Sequence, residues 1–200
     1  MAAIITDQIR ILNAKNFVAG VSTSTNSYYS FVGLTDPTAI QSDWDNDPPS
    51  PIDNFTNHND FWDTAIALKK INASDVKQVV KKNSWTSGTT YDYYRHDYGD
   101  INSAGSVISA NSGATSLYDA TFYVMNSTFD VYKVIDNNGD SASTVEPSGN
   151  KSTSVFSTGD SYKWKYMYSL SASEQANFLS TDFMHVSTES SDFSTTGGAI

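Results

Sequence analysis

The chain has 200 residues, enough for one domain or two small ones, a hydrophobic share of only 38% and an aromatic share of 13%. A formal net charge of −10, with its few lysines clustered only at Lys69-Lys70 and at Lys77, Lys81 and Lys82, argues against nucleic-acid binding, which needs a concentrated basic patch. There is no cysteine, which excludes disulfide stapling, thiol catalysis and cysteine-ligated zinc. The first residues, "MAAIITDQIRILNAKNF", carry Asp7 and Arg10 inside their apolar pattern and do not read as a signal peptide, and no stretch is apolar for long enough to span a membrane.

In chain order, residues 4–19 read as a helix with Ile5, Ile9, Leu12 and Asn16 on one face and Thr6 or Asp7 as cap. "NSYYSFVGL" (26–34) reads as a strand. "SDWDNDPPSPIDN" (42–54) has three prolines, which fix three φ angles and remove three donors; it reads as an extended, polyproline-like loop carrying Asp43, Asp45, Asp47 and Asp53. "NHNDFWDTAIALKKI" (57–71) reads as a helix, with Phe61, Ala65 and Leu68 on a stripe, acids near its start and lysines near its end. "VKQVVKKNSW" (76–85) fits a helical turn by the spacing of Val76, Val79 and Val80, and a strand by its β-branched content; the strand is preferred.

Residues 86–106 read as loop anchored by Tyr91, Tyr93, Tyr94 and Tyr98. "ATFYVMN" (120–126) and "FDVYKVID" (129–136) read as a hairpin whose turn lacks the usual glycine. Residues 137–150 are a turn-rich connector. In "SYKWKYMYSL" (161–170), Tyr162, Trp164, Tyr166, Tyr168 and Leu170 alternate with lysines. The row suits either an exposed stacking platform or a buried sheet face, and a chain this short of aliphatic volume needs it as core. "SASEQANFL" (171–179) begins a helix with a Ser171–Glu174 capping box. The closing "STTGGAI" looks like the entrance to a further strand, as if the chain were the first part of a longer design. The elements divide into an N-terminal region, 1–70, and a β-rich region, 71–200. The expected fold is mainly β, an antiparallel sandwich-like arrangement with a few short peripheral helices and long loops.

No constellation carries a reaction or a metal. The aspartates of 43–53 could suggest paired hydrolytic carboxylates, but clustered loop acids are ordinarily solvated. "DWDND" and "DNNGD" begin like calcium loops, yet Pro48 and Ser141 stand at the sixth position and Asn54 and Pro147 at the twelfth. His58, His96 and His185 are dispersed, and the neighbours His96 and Asp97 point to opposite sides of an extended chain. The Asn-x-Ser/Thr triplets at Asn54, Asn72, Asn126 and Asn150 are expected by chance in so Ser/Thr-rich a chain. Neither a cofactor nor a catalytic residue is expected.

The order of motifs is distinctive: "FVGL" (31–34), "DNDPPSPID" (45–53) leading to Trp62, "NSWTSGTTYDYY" (83–94) with its Trp-x-x-Gly-x-x-Tyr-Asp, "VYKVIDNNG" (131–139), "STVEPSG" (143–149) and "GDSYKWKYMYSL" (159–170). In this order the chain resembles the baseplate wedge subunit of T-even-like contractile-tailed phages, particularly those of marine cyanophages, with Ser161 standing where that pattern has glycine. The resemblance implies a structural virion protein, made in the host bacterial cytoplasm, dimeric, packed against other baseplate wedge proteins, with no bound nucleic acid or membrane. Trp44, Asp45, Asp47, Pro48 and Pro49 of the acidic loop, and Tyr91, Tyr93 and Tyr94, are the expected partner contacts, and loops 42–54 and 86–118 are expected to order against neighbours. A carbohydrate-binding module of a tail or surface adhesin is the alternative, and exposed rings would be its sign.

Overall fold

The computed structural model describes residues 7–33, 62, 65–152 and 154–186. The acidic Pro-rich loop, with Trp44, Asp45, Asp47, Pro48 and Pro49, lies outside them, as do His58 and the last residues. The chain divides into two compact units, 1–77 and 78–200.

In the first unit, helix α1 (Asp7–Ser22) runs three residues beyond its expected end. Ser22 Oγ and Thr23 Oγ1 donate to the carbonyls of Val18 and Ala19 and close the last turn. Gly20 stands inside the helix because the Tyr28 hydroxyl would lie 3.2 Å from any Cβ placed there. The expected strand is present as β1 (Tyr28–Gly33).

The helix expected over 57–71 is corrected over its last seven residues, Trp62 ahead of them being helical. Ala65–Ile71 is a strand, β2, antiparallel to β1 with Tyr29 opposite Lys70 and Phe31 opposite Leu68. The backbone groups of β1 require a partner, and long-range pairing overrides a helical spacing that any short apolar run can imitate. Lys69, read as a helix-end charge, instead reaches Asp75 at 2.6 Å.

The second unit is built on a four-stranded antiparallel sheet in the order β4-β5-β7-β6: β4 (Tyr123–Met125), β5 (Asp130–Asp136), β6 (Val155–Ser157) and β7 (Lys163–Ser169). A small ribbon pairs β3 (Val79–Lys81) with β8 (Phe183–His185), so the ambiguous 76–85 segment contributes a short strand. Helix α2 (Ala172–Phe178) starts at the expected capping box, with Ser171 and Glu174 bonded reciprocally.

Alternation along β5 and β7 gives the sheet two interiors. On one face Val124, Tyr132, Val134 and Trp164 pack with Tyr91 and Tyr162, with Trp85 and Phe156 against them. On the other, Met125 and Val131 pack with Leu170, Met184, Val80 and Leu179, which brings the β3–β8 ribbon and the end of α2 onto that side. Tyr162 and Trp164 are fully buried and stacked at 5.3 Å, so the aromatic strand is core, and the rings a sugar platform would need are inside. The mainly antiparallel β architecture is thus the expected one.

The loop expectation for 86–118 is half right. It forms no regular strand, and it packs on its own unit: Tyr98, Ala110 and Ala120 form a third small core with Ile108, Leu117 and Phe122.

Candidate functional site

The functional residues expected in this unit sit on the loop layer over the sheet, and the layer is built from the family-like motifs themselves. Trp85 Nε1 donates to Ser143 Oγ at 3.1 Å. Gly88, at φ +85°, lets its N–H reach the Ser143 carbonyl at 2.7 Å. Tyr91 is 4% exposed and lies edge-on to Trp164, its hydroxyl meeting the backbone of Thr86. Asp92 is 1% exposed and accepts the N–H and hydroxyl of both Ser112 and Thr121. The Trp-x-x-Gly-x-x-Tyr-Asp spacing therefore encodes a pin, a turn, a core ring and a buried staple.

Other carboxylates do the same work. Asp160 accepts from Thr158 and Ser143 hydroxyls and from the N–H groups of Thr144 and Val145, tying the 137–150 connector to the β6–β7 turn. Glu146 holds Ser127 in the β4–β5 turn through both carboxylate oxygens. Asn126, one of the glycosylation-type triplets, is buried, its amide donating to the Pro147 carbonyl. Asp130 is held by Lys151 at 2.7 Å and by Ser169. For Asp92, Asp130 and Asp160, burial opposes ionisation, but donors aimed at each carboxylate outweigh it and hold the carboxyl below its ordinary range. Such side chains are ionised connectors at neutral pH.

In "YDYYRHD", Asp97 is the bidentate partner of Arg95 at 2.6 and 3.0 Å, and His96 is exposed. His185 is buried beside Glu174 at 3.1 Å. In "DNNGD", Asp136 accepts from Lys163 and from the Asn138 N–H, and Asp140 from the Asn137 amide, so its oxygens serve a turn. Among the described residues no group of three or more His, Asp or Glu is placed to hold a metal ion.

Of the expected partner contacts, Tyr91 is a buried core residue. Tyr93 and Tyr94 are half-buried. Tyr94 lies beneath the Lys133 ammonium, 3.9 Å from its ring centre, and packs on Phe122. The sequence reading passed over the staples Asp92, Asp130, Asp160 and Asn126. A signal was present for Asn126 and Asp160, which stand beside Ser127 and between Gly159 and Ser161, whereas Asp92 and Asp130 stand among aromatic and apolar residues and carried none.

A mainly antiparallel β-unit whose buried acids bind loops in place is organised as a structural protein. The particular family follows from comparison: the chain belongs to the Phage-Gp8 family, described as bacteriophage T4, Gp8, whose pattern matches residues 3–146. Gp8 is a baseplate wedge protein, and the resemblance read from the motif order agrees with this assignment. The chain is accordingly a structural baseplate protein of a phage virion. No curated protein matches it.

Proposed function

We propose that this subunit acts without catalysis, as a wedge component of a contractile tail. It works by forming a homodimer and by contacts with other baseplate wedge proteins, and so passes baseplate rearrangement on to sheath contraction. The family membership carries this reading. The chemistry of the second unit supports it, since its buried carboxylates are bonded to loop backbone and hydroxyls, leaving them no part in acid–base work. Tyr93 and Tyr94, half-buried at the loop surface, and Trp44, Asp45, Asp47, Pro48 and Pro49 of the acidic loop are the proposed contact residues.

Deletion of residues 43–51 tests the role. The shortened subunit should keep the circular dichroism and unfolding midpoint of the wild type yet fail to enter particles in an infection or reconstitution assay. Normal incorporation would remove the acidic loop from the assembly surface.

A further inference from the structure

One row of residues crosses all four strands of the main sheet on a single face: Tyr123 on β4, Lys133 on β5, Lys165 on β7 and Val155 on β6, each the direct cross-strand partner of the next. Along β7, Lys163 shares the face with Lys165 by alternation, and the register shifts at Met167, between Tyr166 opposite Tyr132 and Tyr168 opposite Val131. Tyr123 packs against the cluster formed with the β3–β8 ribbon and α2, and Lys133, Lys165 and Val155 are not among that cluster's residues. The row's outer member is open: Val155 is 48% exposed.

The charges of this strip are unusual for an acidic chain. Lys163 pairs with Asp136, Lys151 with Asp130 and Arg95 with Asp97. Lys133 and Lys165 face each other directly, and among the described residues neither has a carboxylate partner. Like charges directly opposed across a sheet are destabilising. Burial, and then the neighbouring Lys165, push the Lys133 ammonium below its ordinary value. The Tyr94 ring, 3.9 Å beneath Lys133, attracts its charge but does not neutralise it. A chain with 22 acidic residues thus holds two opposed, half-buried lysines that have no carboxylate partner among the described residues.

We propose that the strip of Tyr94, Lys133, Lys165 and Val155 is a docking surface for an acidic segment of a partner protein, which lays carboxylates between the two opposed lysines. Lys133 and Lys165 stand on adjacent strands, about 4.8 Å apart by sheet geometry, so one carboxylate can lie between them, and Lys163, already paired with Asp136, borders the site one pleat along β7. An extended partner with Asp or Glu at every second position turns all its carboxylates to one side, and so toward this pair. Val155 supplies apolar contact at the margin. Nucleic acid fits less well, because two lysines on a chain of net charge −10 do not make the concentrated basic patch that a phosphate backbone requires. The proposal rests on the assembly reading above and names the chemistry of one partner.

The purified full chain can be titrated with a short synthetic peptide carrying Asp at every second position, with its Asn counterpart, and with a single-stranded oligonucleotide, following backbone amides by NMR. The expected result is saturable shifts centred on Tyr94, Lys133 and Lys165 with the Asp peptide alone, receding as salt is added. In the Lys133→Gln/Lys165→Gln variant the affinity should fall about tenfold, whereas Lys77→Gln/Lys81→Gln should bind as the wild type does. Shifts centred elsewhere, equal binding by the Asn peptide or by the Lys133/Lys165 variant, or tighter binding of the oligonucleotide at the same amides would each overturn the proposal. Because no particle is involved, a negative titration leaves the assembly role standing, and loss of that role would appear separately as normal particles lacking this subunit.

Discussion

Ser161 shows what a single backbone angle contributes. It sits at φ +66° in the β6–β7 turn, just after the Asp160 staple, and its side chain is exposed. The resemblance to wedge subunits expected glycine there, and the angle supplies the reason, since a left-handed residue with a Cβ costs about 1–2 kcal/mol. Asn138 and Asp140 hold similar angles but belong to residue types that tolerate them, and Phe129 repeats the problem at the β4–β5 turn. Phe129 also packs against Leu170 and its neighbours, so replacing it would lose burial. Ser161 has no such attachment. Ser161→Gly should therefore stabilise the protein, by about 0.5–1 kcal/mol after glycine's greater freedom in the unfolded chain is subtracted. A urea midpoint that stays put or moves down would show that the Ser161 N–H bond to Thr158 already fixes this turn without strain.

Among elements, α2 was legible because its signal is local. Ser171 and Glu174 stand three apart before a short helical run, and both halves of the capping box form, with the Ser171 N–H donating to Glu174 at 2.8 Å. Ser171→Ala should cost about 1 kcal/mol and lower the helical signal slightly. An unchanged stability would mean that the packing of Leu179 against Met184 holds this helix without its cap. The β4–β5 and β7 strands were legible for a similar reason, their period of two being written in adjacent residues. β2 was not. "AIALKKI" satisfies a helical stripe as readily as a strand, and what decides between them is pairing with Tyr28–Gly33, over thirty residues away. The staples were hidden in the same way. Asp92 is unremarkable in sequence, and its role comes from Ser112 and Thr121, which the 86–118 loop brings back to it. Among the expected partner tyrosines, Tyr91 reads like Tyr93 and Tyr94 in sequence but turns inward to Trp164.

At the scale of the molecule two electrostatic effects oppose each other on acidification. The net charge of −10 favours expansion by self-repulsion, and approach to the isoelectric point near 4.4 relieves it. The buried carboxylates of Asp92, Asp130 and Asp160 act in the other direction. Each has a folded pKa below its unfolded value near 3.9, so its contribution is complete above that value and is lost as pH falls through the folded one. Repulsion among dispersed surface charges is screened by salt within about 10 Å, whereas a buried carboxylate bonded to several donors is hardly screened at all. The staples should therefore win. Stability should hold level from pH 7 to about 5 and fall steeply below about 4, with no maximum at the isoelectric point. Asp92→Asn should cost about 2–3 kcal/mol at pH 7, because one acceptor oxygen is replaced by a donor facing the Ser112 and Thr121 groups. The same variant should lose less on acidification, the titrating group having been removed. Urea unfolding of wild type and variant across this pH range measures both effects. Parallel curves for the two proteins would place the acid sensitivity outside the Asp92 staple, and a wild-type maximum near pH 4.4 would show that net charge, not the staples, governs the fold.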